Sequence, residues 1–188
     1  MAQTTRTFIG PKTTIVWPHF RGPDFVMFDH RQDGDEHVIE VTIRFFHLTN
    51  AQTTAMLAKF PSLHTLRLED VTYEHSTNAI PPHQNLRTLV LGNHIITPEM
   101  VVSMPNLESL TITCGRPSEV ASACLVFRPV FELFVRHSRH LKTVRFENIV
   151  LYGVSSRITN VSVRKVYLTL GVNAADYFPE ANFVYLPA

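Results

Sequence analysis

The chain has 188 residues, of which 45% are hydrophobic and 18% charged. That is the size and make-up of one domain with a real core, and it excludes wholesale disorder. Lys and Arg number 17 against 16 Asp and Glu, a formal net charge of +1, which excludes the dense basic face of a protein dedicated to gripping nucleic acid. No apolar run approaches the roughly 18 residues needed to cross a bilayer, so no membrane partner is expected. The opening residues lack the apolar stretch of a signal peptide, and the only cysteines are Cys114 and Cys124. Both features fit a reducing compartment, and a cytoplasmic or nuclear location is expected.

Along the chain, Thr13-Thr14-Ile15-Val16-Trp17 and Phe25-Val26-Met27-Phe28 read as two strands around the segment Pro18 to Pro23. A β-hairpin is therefore expected, with residues 1–37 serving as an N-terminal cap. From Val38 a six-residue pattern recurs: apolar, two variable, apolar, one variable, apolar. Its copies begin at Val38, Leu63, Leu86, Leu107, Leu141 and Val163, with steps of 25, 23, 21, 34 and 22 residues. Alternation within each copy predicts a strand whose first, fourth and sixth residues face a core. The last residues, Ala181 to Leu186, form a candidate truncated copy.

Between copies the signals change. Thr49 is placed to cap a helix over residues 50–59, with Met56, Leu57 and Phe60 inward. The stretch from Val71 through Pro81-Pro82 is too proline-rich for a regular helix. Thr97-Pro98-Glu99 opens a short helix that Pro105 ends near Met104. The longest step holds an expected helical insertion at 118–139, split by Pro129 into pieces over 119–127 and 129–137.

Four copies carry the fullest phrases: "PSLHTLRLEDV", "QNLRTLVLGN", "PNLESLTITC" and "RHLKTVRFENI". With steps mostly inside the roughly 20 to 29 residues of leucine-rich repeats, this region resembles the divergent repeats that follow the F-box in eukaryotic F-box proteins. The resemblance implies an α/β fold, a curved leucine-rich-repeat solenoid over residues 38–188 with about six turns. A parallel sheet would line its concave face, with short helices or irregular returns outside. It also implies a non-catalytic protein–protein interaction module, whose specific form is substrate recognition with ubiquitin ligase components as partners. A pathogen or symbiont protein imitating host repeat proteins, or an enzyme with an unrecognised site, is the alternative. The family's inter-turn Asn or Cys position holds Phe46, Val71, His94, Gly115, Ile149 and Gly171 here. The turns are thus expected to be irregular and held mainly by apolar packing. Residues 1–37 contain no F-box.

Chemistry is sparse. Ten histidines are scattered through different turns; His137 and His140 are three apart, but no spacing supplies a third metal ligand. The cysteines form no Cys-x-x-Cys, and no phosphate-cradling glycine loop or nucleophile elbow occurs. No catalytic residue, metal or cofactor is expected. Arg136, Arg139, Lys142 and Arg145 cluster, as a helix end running into a solvated strand would, without nucleic acid. Asn160-Val161-Ser162 matches a glycosylation sequon.

The outward third, fifth and seventh positions remain as the candidate site: Glu40, Thr42 and Arg44; Thr65, Arg67 and Glu69; Thr88, Val90 and Gly92; Ser109, Thr111 and Thr113; Thr143, Arg145 and Glu147; Lys165, Tyr167 and Thr169. Hydroxylated and small residues fill the middle rows, and Arg-x-Glu recurs at Arg67/Glu69 and Arg145/Glu147. Arg and Tyr are favoured anchors of protein interfaces. The expected partner-binding residues are Arg44, Arg67, Glu69, Thr88, Thr111, Arg145, Glu147 and Tyr167.

Overall fold

The computed structural model describes residues 5–9, 12–16, 35–44, 47–48, 57–69, 72–73, 83–92, 104–113, 124–127, 136–152, 159–169 and 177–186. A nine-stranded sheet dominates them. Its strands are β1 (Thr5–Ile9), β2 (Lys12–Val16), β3 (Glu40–Arg44), β5 (Thr65–Glu69), β7 (Thr88–Gly92), β8 (Ser109–Thr113), β10 (Thr143–Glu147), β12 (Lys165–Leu168) and β13 (Asn182–Tyr185), hydrogen-bonded in that order. The pairing of β1 with β2 is antiparallel and every other pairing is parallel. This is the parallel sheet of the expected α/β class. Helical residues are few among those described: 57–58, 136–137 and a 3-10 turn at Asp35–His37.

The repeat pattern supplies the core. Every residue at the first, fourth and sixth positions of the six copies is buried, none more than 2% exposed. Because side chains alternate along a strand, one misplaced residue would turn this whole set to the other face. The register excludes that: Leu66 lies beside Leu89, Leu89 beside Leu110, Leu110 beside Val144 and Val144 beside Val166. Phe60, Met104, Tyr177 and Phe178 extend the same core beyond the strands.

Tight turns precede several of the strands. The first-position amide donates three residues back, Leu63 N to Phe60 O at 3.0 Å, Leu107 N to Met104 O at 3.3 Å and Leu141 N to Ser138 O at 3.1 Å. Pro61 and Pro105 stand second in two of these turns, where the ring's fixed φ is already correct. Phe178-Pro179-Glu180-Ala181 repeats the device, with Ala181 N donating to Phe178 O at 3.2 Å. β13 follows, in parallel register with β12, so the candidate truncated copy does add a strand.

The absence of asparagine at the family's position does not leave the turns without polar ties. Asn85 Nδ2 donates to Pro61 O at 2.9 Å, Asn106 Nδ2 to Gln84 O at 3.0 Å and Asn160 Nδ2 to Ser138 O at 3.1 Å. These amides bridge successive turns just ahead of the strands and add polar ties to the continuous apolar core that joins the turns. Asn160 is 7% exposed, and its amide is committed to this bridge, which removes the sequon from solution in the folded chain.

Two further corrections concern local structure. Cys124–Phe127, expected in the first helical piece of the 118–139 insertion, is strand β9, parallel to β11 (Ile149–Tyr152). A four-residue apolar run fits either state, and the partner strand decides it. A second short parallel pair joins β4 (His47–Leu48) to β6 (Thr72–Tyr73). At the N-terminus the hairpin joins β1 to β2, whereas the expected partner over residues 25–28 lies outside the described residues. So do most of the expected helices at 50–59, 98–104 and 129–137. Between β10 and β11 the chain turns at Asn148, whose φ of 53° is left-handed, a conformation asparagine tolerates well. No helix among the described residues is long and apolar enough to cross a membrane.

Leu89 is fully buried in the central β7. Leu89→Ala should lower unfolding free energy by about 2 to 5 kcal/mol, read from urea denaturation, whereas Thr88→Ala on the opposite face should change it by less than about 1 kcal/mol.

Candidate functional site

The burial alternation that fills the core sets the remaining side chains in three rows on the other face. The middle row runs Thr42, Arg67, Val90, Thr111, Arg145, Tyr167 and Val184, each beside the next across a parallel pairing. One flanking row holds Glu40, Thr65, Thr88, Ser109, Thr143 and Lys165; the other holds Arg44, Glu69, Gly92, Thr113 and Glu147. All eight expected partner-binding residues therefore belong to one sheet face. Only the side chain of Arg44 lies outside the described part. Val184 and Asn182 extend the rows onto β13.

The rows are not uniformly open. Thr42 and Val90 are each 7% exposed and Gly92 is buried too, a correction to their placement as free outward residues. Their neighbours explain Thr42 and Gly92. Arg67 stands between Thr42 and Val90 in register and reaches sideways across β3. Glu69 Cγ lies 3.3 Å from where a Cβ on Gly92 would be.

The two arginines find different partners. Arg67 Nε donates to Glu40 Oε1 on the preceding strand at 3.1 Å. Arg145 Nε donates instead to Glu147 on its own strand. The register gives the reason: the position on β8 equivalent to Glu40 is Ser109, so Arg145 finds no carboxylate on the preceding strand and turns along β10. The sequence motif thus pairs as written only at its second occurrence. The Arg145 guanidinium also sits 5.8 Å from the Tyr167 ring centroid, within reach of a cation–π attraction. The Arg67 and Arg145 side chains remain 40% and 43% exposed, so their ion pairs contribute little to stability and much to orientation.

Between these arginines lies a low floor two strands wide, made by Thr88, Val90 and Gly92 of β7 and by Ser109, Thr111 and Thr113 of β8. The hydroxyls of Thr88, Ser109, Thr111 and Thr113 hydrogen-bond to no described residue. Glu69 and Glu147 accompany the arginines at the two sides.

A second charged surface lies at the turns leading into the strands. Glu108 accepts from Lys142 Nζ at 2.6 Å and stands 3.7 Å from Arg87 Nε, while Arg164 pairs with Glu180. Arg136, His137, Arg139 and His140, in the turn leading into β10, are exposed as well. The hydrogen bond from Lys142 holds the Glu108 carboxyl below the usual carboxylate range, with Lys142, Arg87 and His140 adding charge in the same direction. Arg145 does not join this cluster; it faces the sheet's outer rows. Among the described residues, no three His, Cys, Asp or Glu side chains are grouped as metal ligands would be.

No protein-family model matches the chain, and no curated protein matches it significantly.

Since the folded Glu108 titrates below its unfolded value, its small contribution is present above the unfolded pKa and lost as pH falls through the folded one. In a side-chain NMR titration Glu108 should protonate at lower pH than free glutamate, and Lys142→Ala should move it back toward the ordinary value. An unchanged midpoint in that variant would show that Lys142 does not hold the carboxylate in solution.

Proposed function

We propose that this chain is a curved leucine-rich-repeat solenoid that acts as a non-catalytic binding module, taking a protein partner on its outward, concave sheet face. The observation that carries this reading is the common register: one strand per sequence repeat, each beside its predecessor, with every inward position buried. Such a stack holds its outward side chains on a rigid backbone, so a partner meets fixed rows and loses little ordering entropy from the module's side. The composition of those rows also supports recognition, with Arg67, Arg145 and Tyr167 as anchors around a floor of small hydroxylated residues. The quoted repeat phrases favour substrate recognition linked to a ubiquitin ligase as the specific form.

A photo-crosslinker at position 111, in the middle of the face, should capture a partner from eukaryotic extract, while one at position 139 should not. Thr111→Trp, which fills the floor without altering charge, should abolish association of that purified partner with otherwise unchanged thermal unfolding. Undiminished association with Thr111→Trp would overturn the reading. Ligase adaptor and cullin subunits co-purifying with the partner would establish the specific form.

A further inference from the structure

The two arginines of the middle row are tethered by one nitrogen each. Arg67 uses Nε toward Glu40 and Arg145 uses Nε toward Glu147. Among the described residues, neither guanidinium donates from Nη1 or Nη2. Each tether therefore fixes the plane of a guanidinium and leaves its terminal fork of N–H groups open, the geometry that receives a carboxylate through two parallel hydrogen bonds. Tyr167 adds a second restraint on Arg145.

Arg67 lies on β5 and Arg145 on β10, at equivalent positions, with β7 and β8 between them. Three steps of about 4.8 Å put their backbones about 14 Å apart. An extended chain crossing the strands covers about 13 to 14 Å in four residues and turns residues i, i+2 and i+4 to the same side. Two carboxylates at i and i+4 thus match the two forks. The residue between them would rest on the low floor where the covered Val90 and the half-buried Thr111 stand side by side. Strands of two sheets packed face to face do cross at near right angles.

With residues i, i+2 and i+4 turned to the sheet, the segment's own N–H and C=O groups point along the face, so the hydroxyls of Thr88, Ser109, Thr111 and Thr113 serve the side chain at i+2 and favour a small polar one there. Glu69 and Glu147 flank the forks and disfavour anionic residues immediately beside the two that are bound, which selects spaced acids over a continuous acidic run.

We propose that the occupant of this face is an extended polypeptide segment carrying two carboxylate side chains four residues apart, each held by one of the Arg67 and Arg145 forks. This rests on the sheet face being the partner-binding surface and names the chemistry it selects.

The test uses the full chain and synthetic twelve-residue Gly/Ser/Thr peptides carrying two aspartates, read by fluorescence anisotropy at low and physiological salt. The peptide with four-residue spacing should bind at least about tenfold more tightly than its Asn counterpart, and more tightly than peptides with spacings of two or eight. Arg67→Gln and Arg145→Gln should each weaken it by about tenfold. Arg67→Lys and Arg145→Lys, which keep the charge and lose the fork, should recover only a minor part. Circular dichroism melts of all four variants should match wild type, since both side chains are substantially exposed. Equal binding of the Asn and Asp peptides, no dependence on spacing, or full activity of the Lys variants would each overturn the proposal. A preference for phosphoserine at both positions would overturn the carboxylate assignment, and tighter binding of Ala-rich helical peptides with acids about ten residues apart would overturn the extended conformation. If peptides fail to bind while crosslinking at position 111 and its loss in Thr111→Trp persist, the acidic-segment proposal falls and the binding face stands. If both fail, the face itself is refuted.

Discussion

The structure depends on one backbone arrangement repeated from turn to turn. In the first five copies the carbonyl of the second-position residue accepts the N–H groups of two successive residues on the next turn: Ile39 O from His64 and Thr65, His64 O from Arg87 and Thr88, Arg87 O from Glu108 and Ser109, Glu108 O from Lys142 and Thr143, Lys142 O from Arg164 and Lys165. This contact stands at the entry to each strand, before pairing begins, and it sets where the next strand starts. Once it is made, the parallel ladder has no freedom to slip. Every first, fourth and sixth residue is then committed to the core, and the third, fifth and seventh to the opposite face. Because it uses only main-chain atoms, it tolerates any residue but proline at the second position, and that column accordingly holds isoleucine, histidine, arginine, glutamate and lysine.

That indifference explains what the sequence could and could not reveal. The core was legible because burial constrains residue type: Leu, Ile, Val and Phe recur wherever the register points inward. The strand β13 was only faintly legible, since Phe183 and Tyr185 lie on the edge strand of the described sheet. Tyr185 is 65% exposed, and a position that is not sealed does not demand a leucine. β9 was misread because Cys124–Phe127 is four apolar residues, too few to express a period. Its state is decided by Ile149–Tyr152, some 25 positions away by the register. The amide bridges of Asn85, Asn106 and Asn160 were missed for a related reason: they stand ahead of the strands, on the other side from the position where the family carries its asparagine.

The binding face was legible as a set of positions and not as a set of contacts. Alternation alone placed Arg67, Thr111, Arg145 and Tyr167 on one surface. It could not give Arg67 its partner, because Glu40 is 27 residues earlier and only the register brings them together. Nor could it separate exposed from covered members of the rows. Thr42, Val90 and Gly92 point outward and are nevertheless buried; Arg67 reaches over β3 beside Thr42, and Glu69 lies against Gly92. Side-chain length, more than strand alternation, therefore sculpts this face into two raised sides and a floor.

The same ion pairs carry different consequences in the two places where they occur. At the strand entries, Lys142 and Arg87 converge on Glu108, and the charges largely neutralise one another in water, where such pairs contribute little free energy. On the sheet face, each arginine meets its carboxylate through a single nitrogen while its stem is fixed by a rigid strand. The pair then acts as a brace, limiting the rotamers of a long side chain that would otherwise lose roughly 2 kcal/mol of conformational freedom on binding. A guanidinium already oriented forfeits less of that freedom when a further anion arrives. An ion pair that adds almost nothing to folding can still add to affinity, because its effect is on the entropy of the unbound face. This is why the ionic contacts of greatest functional consequence are those whose arginines keep an open fork.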